Sequence, residues 1–147
     1  TVVYKENGGT DRTATGVVSG TPFNAFTNTV TSTTTYTLTS VTDTNCIRSS
    51  GFTGNSATIT VNPLPQGTLS ANGPFCATGS GQLTFTASAG TGPYTVVYKE
   101  NGGTDRTATG VVSGTPFAAF TGTVTSTTTY TLTSVTGSNL CVRNSGF

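Results

Sequence analysis

The chain has 147 residues, of which 7% are charged, with 6 Lys and Arg against 5 Asp and Glu, no His, Met or Trp, and a net charge of +1. A typical domain is about one quarter charged. The balance therefore excludes the basic footprint of a nucleic-acid binder, an acidic tail and a polybasic membrane patch. No apolar run approaches the ~20 residues of a transmembrane helix, so this segment is not expected to span a membrane.

TVVYKE at 1–6 reads as a strand, with Val2 and Tyr4 on one face and Val3 and Lys5 on the other. Asn7-Gly8-Gly9 is a reversal signal, since Asn and Gly tolerate positive φ. TDRTATGVV returns as the partner strand. Lys5, Glu6, Asp11 and Arg12 lie on this hairpin, where opposed charges can form complementary cross-strand pairs. Gly20-Thr21-Pro22 breaks the pattern, and NAFTNTV at 24–30 reads as a short strand. TTTYTLTSV at 33–41 alternates clearly, with Tyr36 and Leu38 facing one way and Thr35, Thr37 and Thr39 the other. Asp43 to Gly54 reads as a loop holding Cys46. SATITV at 56–61 should point Ala57, Ile59 and Val61 inward.

Asn62-Pro63-Leu64-Pro65 reads as a joint between modules, because two prolines one residue apart fix φ and cannot donate to a central ladder. GTLSA is then a strand, NGPFCATGSG a loop holding Cys76, and QLTFTASA at 82–89 a strand with Leu83, Phe85 and Ala87 on one face. From residue 95 the chain starts again. Residues 95–117 repeat residues 1–23 letter for letter, and Phe52 is still matched at Phe147. The changes are Asn24 to Ala118, Asn28 to Gly122, Asp43 to Gly137, Thr44 to Ser138, Ile47 to Val142 and Ser49 to Asn144, with Leu140 inserted. A period of 94 residues is longer than a solenoid unit and matches one small domain.

Short alternating strands, frequent turn signals and no helical periodicity specify an all-β fold. About seven strands per period fit tandem immunoglobulin-like β-sandwich modules. On that template GTLSA is strand A, QLTFTASA B, TVVYKE C, the strand after NGG C′, the Phe-rich segment E, TTTYTLTSV F and SATITV G. Tyr36 and Tyr130 would tie down the corner before F. Residues 1–61 are then the C-to-G part of a first module, and 62–147 a second module from A to F. A window cut mid-module in this way is expected to leave unpaired edges and half-open cores.

Cys46 and Cys141 occupy the F–G position of the two modules and Cys76 the A–B position. All three are disulfide candidates in an oxidising compartment; zinc would need His or a close Cys pair. Two pairings remain open. Cys76 with Cys141 would staple one module, although the A–B and F–G loops of such a sandwich lie roughly 25 Å apart. Alternatively, the A–B cysteine of one module meets the F–G cysteine of the next.

NPLP, the Cys-x-x-Gly-Ser-Gly lead into an alternating strand, STTTYTLTSVT, and the Asn-Cys or Asn-Leu-Cys loop before SATITVNP together resemble the tandem immunoglobulin-like repeats of very large Bacteroidota cell-surface proteins. The gliding-motility adhesin filaments exported by type IX secretion are their best-known members. The resemblance implies an extracellular stalk or filament at the cell surface that carries an adhesive tip. Its partners would be neighbouring repeats and lateral filament strands.

About a quarter of the residues are Thr, which suits an exposed strand face and hydrates without charge. That composition fits a salt-insensitive, protease-resistant spacer. A second function class is glycan binding, with Phe23 and Phe26, and their repeats Phe117 and Phe120, as an aromatic platform; otherwise one Phe of each pair fills the core. Ice binding by threonine ranks is a weaker third, since the Thr face lies on a single strand. An enzyme is not expected, because nothing supplies a general acid, a base or an activated nucleophile. No cofactor is expected either. O-glycosylation of Thr or Ser stays open. Calcium-stiffened linkers need several carboxylates near the joint, and NPLPQG has none. Chelator should therefore leave the stiffness of a multi-module chain unchanged, as measured by force spectroscopy; softening would show that calcium bridges the joint.

Overall fold

The structure, a computed structural model, describes residues 1–26 and 29–147. It is all-β, with no helix and only antiparallel pairings among the described residues. Two compact units divide it, Thr1–Val61 and Asn62–Phe147.

In the first unit, β1 (Val2–Glu6) and β2 (Asp11–Ala14) form a hairpin. Asn7 and Gly8 both take positive φ, 48° and 72°, and the Gly9 N–H closes the turn on the Glu6 carbonyl at 2.8 Å. This left-handed pair matches the twist of the flanking strands. Asn7 also fastens the hairpin to its neighbour: its N–H donates to the Thr35 carbonyl and its Oδ1 accepts the Thr35 N–H. β3 (Thr34–Thr42) pairs with β1 on one side. On its other side it takes β4 (Ile47–Arg48) at its end and β5 (Ser56–Ile59) at its start. β4 lies inside the stretch that reads as a loop in the sequence.

The second unit has two sheets. β6 (Gln66–Ala71), β7 (Gly79–Ala89) and β10 (Pro116–Val124) form one, in the order β10-β7-β6. The other has the order β12-β11-β8-β9, from β8 (Tyr94–Glu100), β9 (Asp105–Val111), β11 (Tyr130–Thr136) and β12 (Val142–Arg143). The core draws on both sheets: Leu83 and Phe85 from β7, Tyr94, Val96 and Tyr98 from β8, Val111 from β9, Ala119 from β10 and Val135 from β11. Burial alternates along β7 and β8, as a strand with one face on a core requires. The Phe85 ring lies 2.6 Å from where a Cβ on Gly67 would sit, so only glycine lets β6 approach that ring.

Comparison of the two copies corrects two sequence expectations. NAFTNTV was expected to form a strand in both. At residues 24–26, 29 and 30 it forms none, and Thr27 and Asn28 lie outside the described residues. Its counterpart is β10, paired to β7 through Phe117 opposite Leu83 and Ala118 opposite Gln82. The first unit has no described equivalent of β7, so the same kind of segment has no ladder to join. Likewise Ala57 and Ile59 were expected to point into a core, yet all of β5 is exposed, Ile59 by 46%. Pairing with β3 makes β5 a strand, but no second layer among the unit's described residues covers it.

Val135 is fully buried while its counterpart Val41 is half-buried. Val135→Ala should therefore cost about 2 kcal/mol, from two methyl groups and the cavity left behind, and Val41→Ala less than half as much. Denaturant unfolding of the two variants checks this; equal losses would show that the two environments are alike.

Candidate functional site

Most of the chain's charged side chains, with four aromatic ones in each copy, gather on the hairpin and the segments beside it. In the second unit the β8–β9 register sets Tyr98 opposite Arg106. The Tyr98 hydroxyl accepts the Phe120 N–H at 2.8 Å. Its ring meets Phe117 at 6.3 Å between centroids, tilted, and Tyr130 at 6.0 Å, edge-on. The Arg106 guanidinium lies over the Phe120 ring, 3.3 Å from the centroid. In the first unit Tyr4 faces Arg12, the Phe26 N–H donates to the Tyr4 hydroxyl at 2.8 Å, and Arg12 lies 3.8 Å over Phe26. The cluster is built twice from the same parts.

Electrostatics follow from this packing. Burial pushes the Tyr98 hydroxyl above the ordinary phenol range, and Glu100 adds to the rise, while the Phe120 N–H and Arg106 pull the other way. Burial also raises Tyr130, helped by Glu100 and Tyr98. Lys5 and Asp11 stand directly across the β1–β2 ladder, as do Lys99 and Asp105 across β8–β9. Asp11 and Asp105 each accept a hydroxyl hydrogen bond at 3.3 Å, from Thr39 and Thr133. The hairpin lysines and aspartates thus face one another across the ladder, and each hairpin arginine turns to a phenylalanine.

No family model, curated protein or solved structure matches the chain.

In the second unit Phe117 and Phe120 do not form one platform. Phe117 packs against the core, whereas Phe120 is 45% exposed with a guanidinium on its face. Phe23 is 46% exposed beside Tyr4, and Phe26 lies under Arg12. Residues three apart on a strand point to opposite faces, a signal already present in the spacing of Phe117 and Phe120. The corner tie also differs from expectation. The hydroxyls that hold a backbone N–H are those of Tyr4 and Tyr98 on the hairpins, rather than Tyr36 and Tyr130. Tyr36 and Tyr130 stack on that pair instead.

Of the joint residues, Asn62, Pro63 and Leu64 are exposed, but Pro65 is buried inside the second unit. Pro65 packs on Gly90, and its carbonyl accepts the Arg143 Nε–H at 2.8 Å. Cys46, Cys76 and Cys141 are all free thiols. Cys76 precedes the start of β7. Cys141 belongs to the β11–β12 turn, where its carbonyl accepts the Gly137 N–H, and Ser138 of the same turn donates its N–H to the Thr91 carbonyl beyond the other end of β7. Eleven residues of strand separate those ends, about 33 Å at ~3.3 Å per residue. A Cys76–Cys141 staple within the module is therefore out of reach.

Asp43 Oδ1 accepts the N–H groups of Asn45 and Cys46, which holds its carboxyl below the usual range. Its counterpart Gly137 has no side chain to do this, and Asn139 Oδ1 accepts the Cys141 N–H instead. Among the described residues, no three His, Cys, Asp or Glu side chains come together as metal ligands would. A shallow groove between the Asn72–Ala77 loop and Val124–Thr128 is floored by Gly81 and Tyr130; sequence reading gave no sign of it. What converges at the hairpin is stacking and hydrogen-bonding chemistry.

Arg106→Ala, Phe120→Ala and the double variant should give a coupling energy of about 0.5–2 kcal/mol in a thermodynamic cycle of unfolding free energies. A coupling near zero would mean that the guanidinium contributes nothing by lying on the ring.

Proposed function

We propose that the chain is a length of a tandem array of β-sandwich modules, and that the array serves as an extracellular spacer or filament holding a binding tip away from a cell surface. One observation carries this reading: the two copies agree at most of their exposed positions as well as at the buried ones, with the described substitutions falling where the first copy is exposed. The Asn-Gly turn, the tyrosine-to-backbone tie, the aspartate–threonine hydrogen bond and the arginine–phenylalanine stack all recur one period later. A specific binding site is needed once; a spacer gains from each further copy.

The finer immunoglobulin-like topology is supported by the strand order of the second unit. There β6, β7 and β10 take the places of A, B and E, opposite a sheet in which β8, β9 and β11 take those of C, C′ and F. Low charge, abundant Thr and six basic residues in all suit a protease-rich exterior. Cysteines at opposite ends of a module suit links from one module to the next. A glycan platform finds less support, because Arg12 and Arg106 occupy the ring faces a sugar would use.

A concatemer of the 94-residue period, stretched by force spectroscopy, tests the reading. Unfolding should proceed in equal steps close to 300 Å, from about 3.3–3.6 Å per residue less the folded span. Irregular steps, or a single cooperative rupture, would remove the support for independent modules.

A further inference from the structure

One side of the second unit's sandwich is bounded by two strand edges. Among the described residues, β9 ends one sheet and β10 ends the other. An edge of this kind is a template for pairing with a strand of another chain. The local sequence raises that risk. Residues 107–112 read TATGVV, and no charged residue follows Arg106 until Arg143. Residues 95–111 are also identical to 1–17, so each copy offers the same edge.

Two features of β9 oppose such pairing. The first is a bulge. Tyr94 stands opposite Val111 and Val96 opposite Ala108, which leaves Thr95 facing both Thr109 and Gly110, and Gly110 takes a φ of 68°. A bulge bends an edge strand and sharpens its twist.

The second is Arg106. Asp105, Thr107 and Thr109 are exposed, whereas Arg106 and Ala108 are half-buried and Val111 is buried. Arg106 therefore belongs to the row that faces the other sheet, and it stands opposite the core residue Tyr98. Its guanidinium reaches Phe120 on β10, 3.3 Å from the ring centroid, and spans the gap between the two edges. Its Nε is buried and meets no hydrogen-bond acceptor among the described residues. Packing alone does not ask for this arrangement, since a leucine could cover the ring without burying an unpaired N–H. The first unit repeats it: Arg12 is half-buried on β2, the end strand of its sheet, and lies 3.8 Å over Phe26.

We propose that Arg106, and Arg12 in the first copy, guard the open edge against strand pairing with a second copy of the chain. A strand added beside β9 would seal the guanidinium from water with no acid to pair it, which is costly. Two β9 edges meeting each other would bring like charges into one closed layer. With an uncharged residue at 106, the inward row of β9 would join Ala108 and Val111 as a surface on which a further strand could pack. The proposal concerns the edge alone and does not rest on the spacer reading.

The test compares Arg106→Leu, Arg106→Thr and Arg106→Lys with the unchanged 147-residue chain by sedimentation equilibrium, with circular dichroism to check the fold. The Leu and Thr variants should self-associate at least tenfold more tightly than the unchanged chain, and amide exchange should slow along β9. The Lys variant keeps the charge without the flat stack and should behave as the unchanged chain does. Arg12→Leu should act likewise through β2, which keeps the question open to test if position 106 proves essential for folding. Folded Leu and Thr variants that associate no more than the unchanged chain would overturn the proposal. So would a Lys variant that associates as strongly as Leu, or exchange that slows at β6 in place of β9.

Discussion

Leu83 and Phe85 on β7 meet Val96 and Tyr98 on β8 and Val135 on β11, and the rest of the second unit is arranged around that layer. Each large apolar side chain buried there contributes roughly 1.5–3 kcal/mol. The layer also fixes secondary structure at a distance. β10 exists because β7 offers it a ladder, and Gly67 on β6 is glycine because the Phe85 ring needs its space. Where the first unit repeats the receiving strands without a described β7, the strands of the hairpin and β3 persist while the Phe-containing segment loses its ladder. The hairpin sheet has the same turn and strand register in both units; in the second, the opposite sheet closes the core.

The parts legible in the sequence are those with local causes. Asn7-Gly8 specified a left-handed turn because few other residue pairs adopt that backbone without strain, and the alternation in QLTFTASA placed Leu83 and Phe85 on the buried face. The Phe-containing segment was not legible. Its strand state depends on a partner some thirty residues away, and β-propensity reports a fit to neighbours more than an intrinsic preference. The short β4 and β12 escaped notice for a related reason. Two residues are too few to show a period, and only their pairing with the end of β3 or β11 defines them.

The hairpin cluster was legible in composition and not in connectivity. Four charged residues close together suggested acid–base pairs, and the ladder does set Lys5 opposite Asp11 and Lys99 opposite Asp105. The arginines differ because their cross-strand neighbour is a tyrosine whose hydroxyl is already engaged with backbone. A planar guanidinium there finds the ring of the next phenylalanine, a contact that a Lys ammonium would make less well. The choice between Tyr98 and Tyr130 as the residue that ties the corner likewise turned on geometry, since both are tyrosines at the edge of the same core.

The bond from Tyr4 to Phe26 spans 22 residues and survives without the second layer, as its twin from Tyr98 to Phe120 does within it. Closing a loop of that size costs entropy once, and the penalty grows only slowly with length. In the second unit the Tyr98 hydroxyl joins β8 to β10, so a single side chain bridges the two sheets of the core.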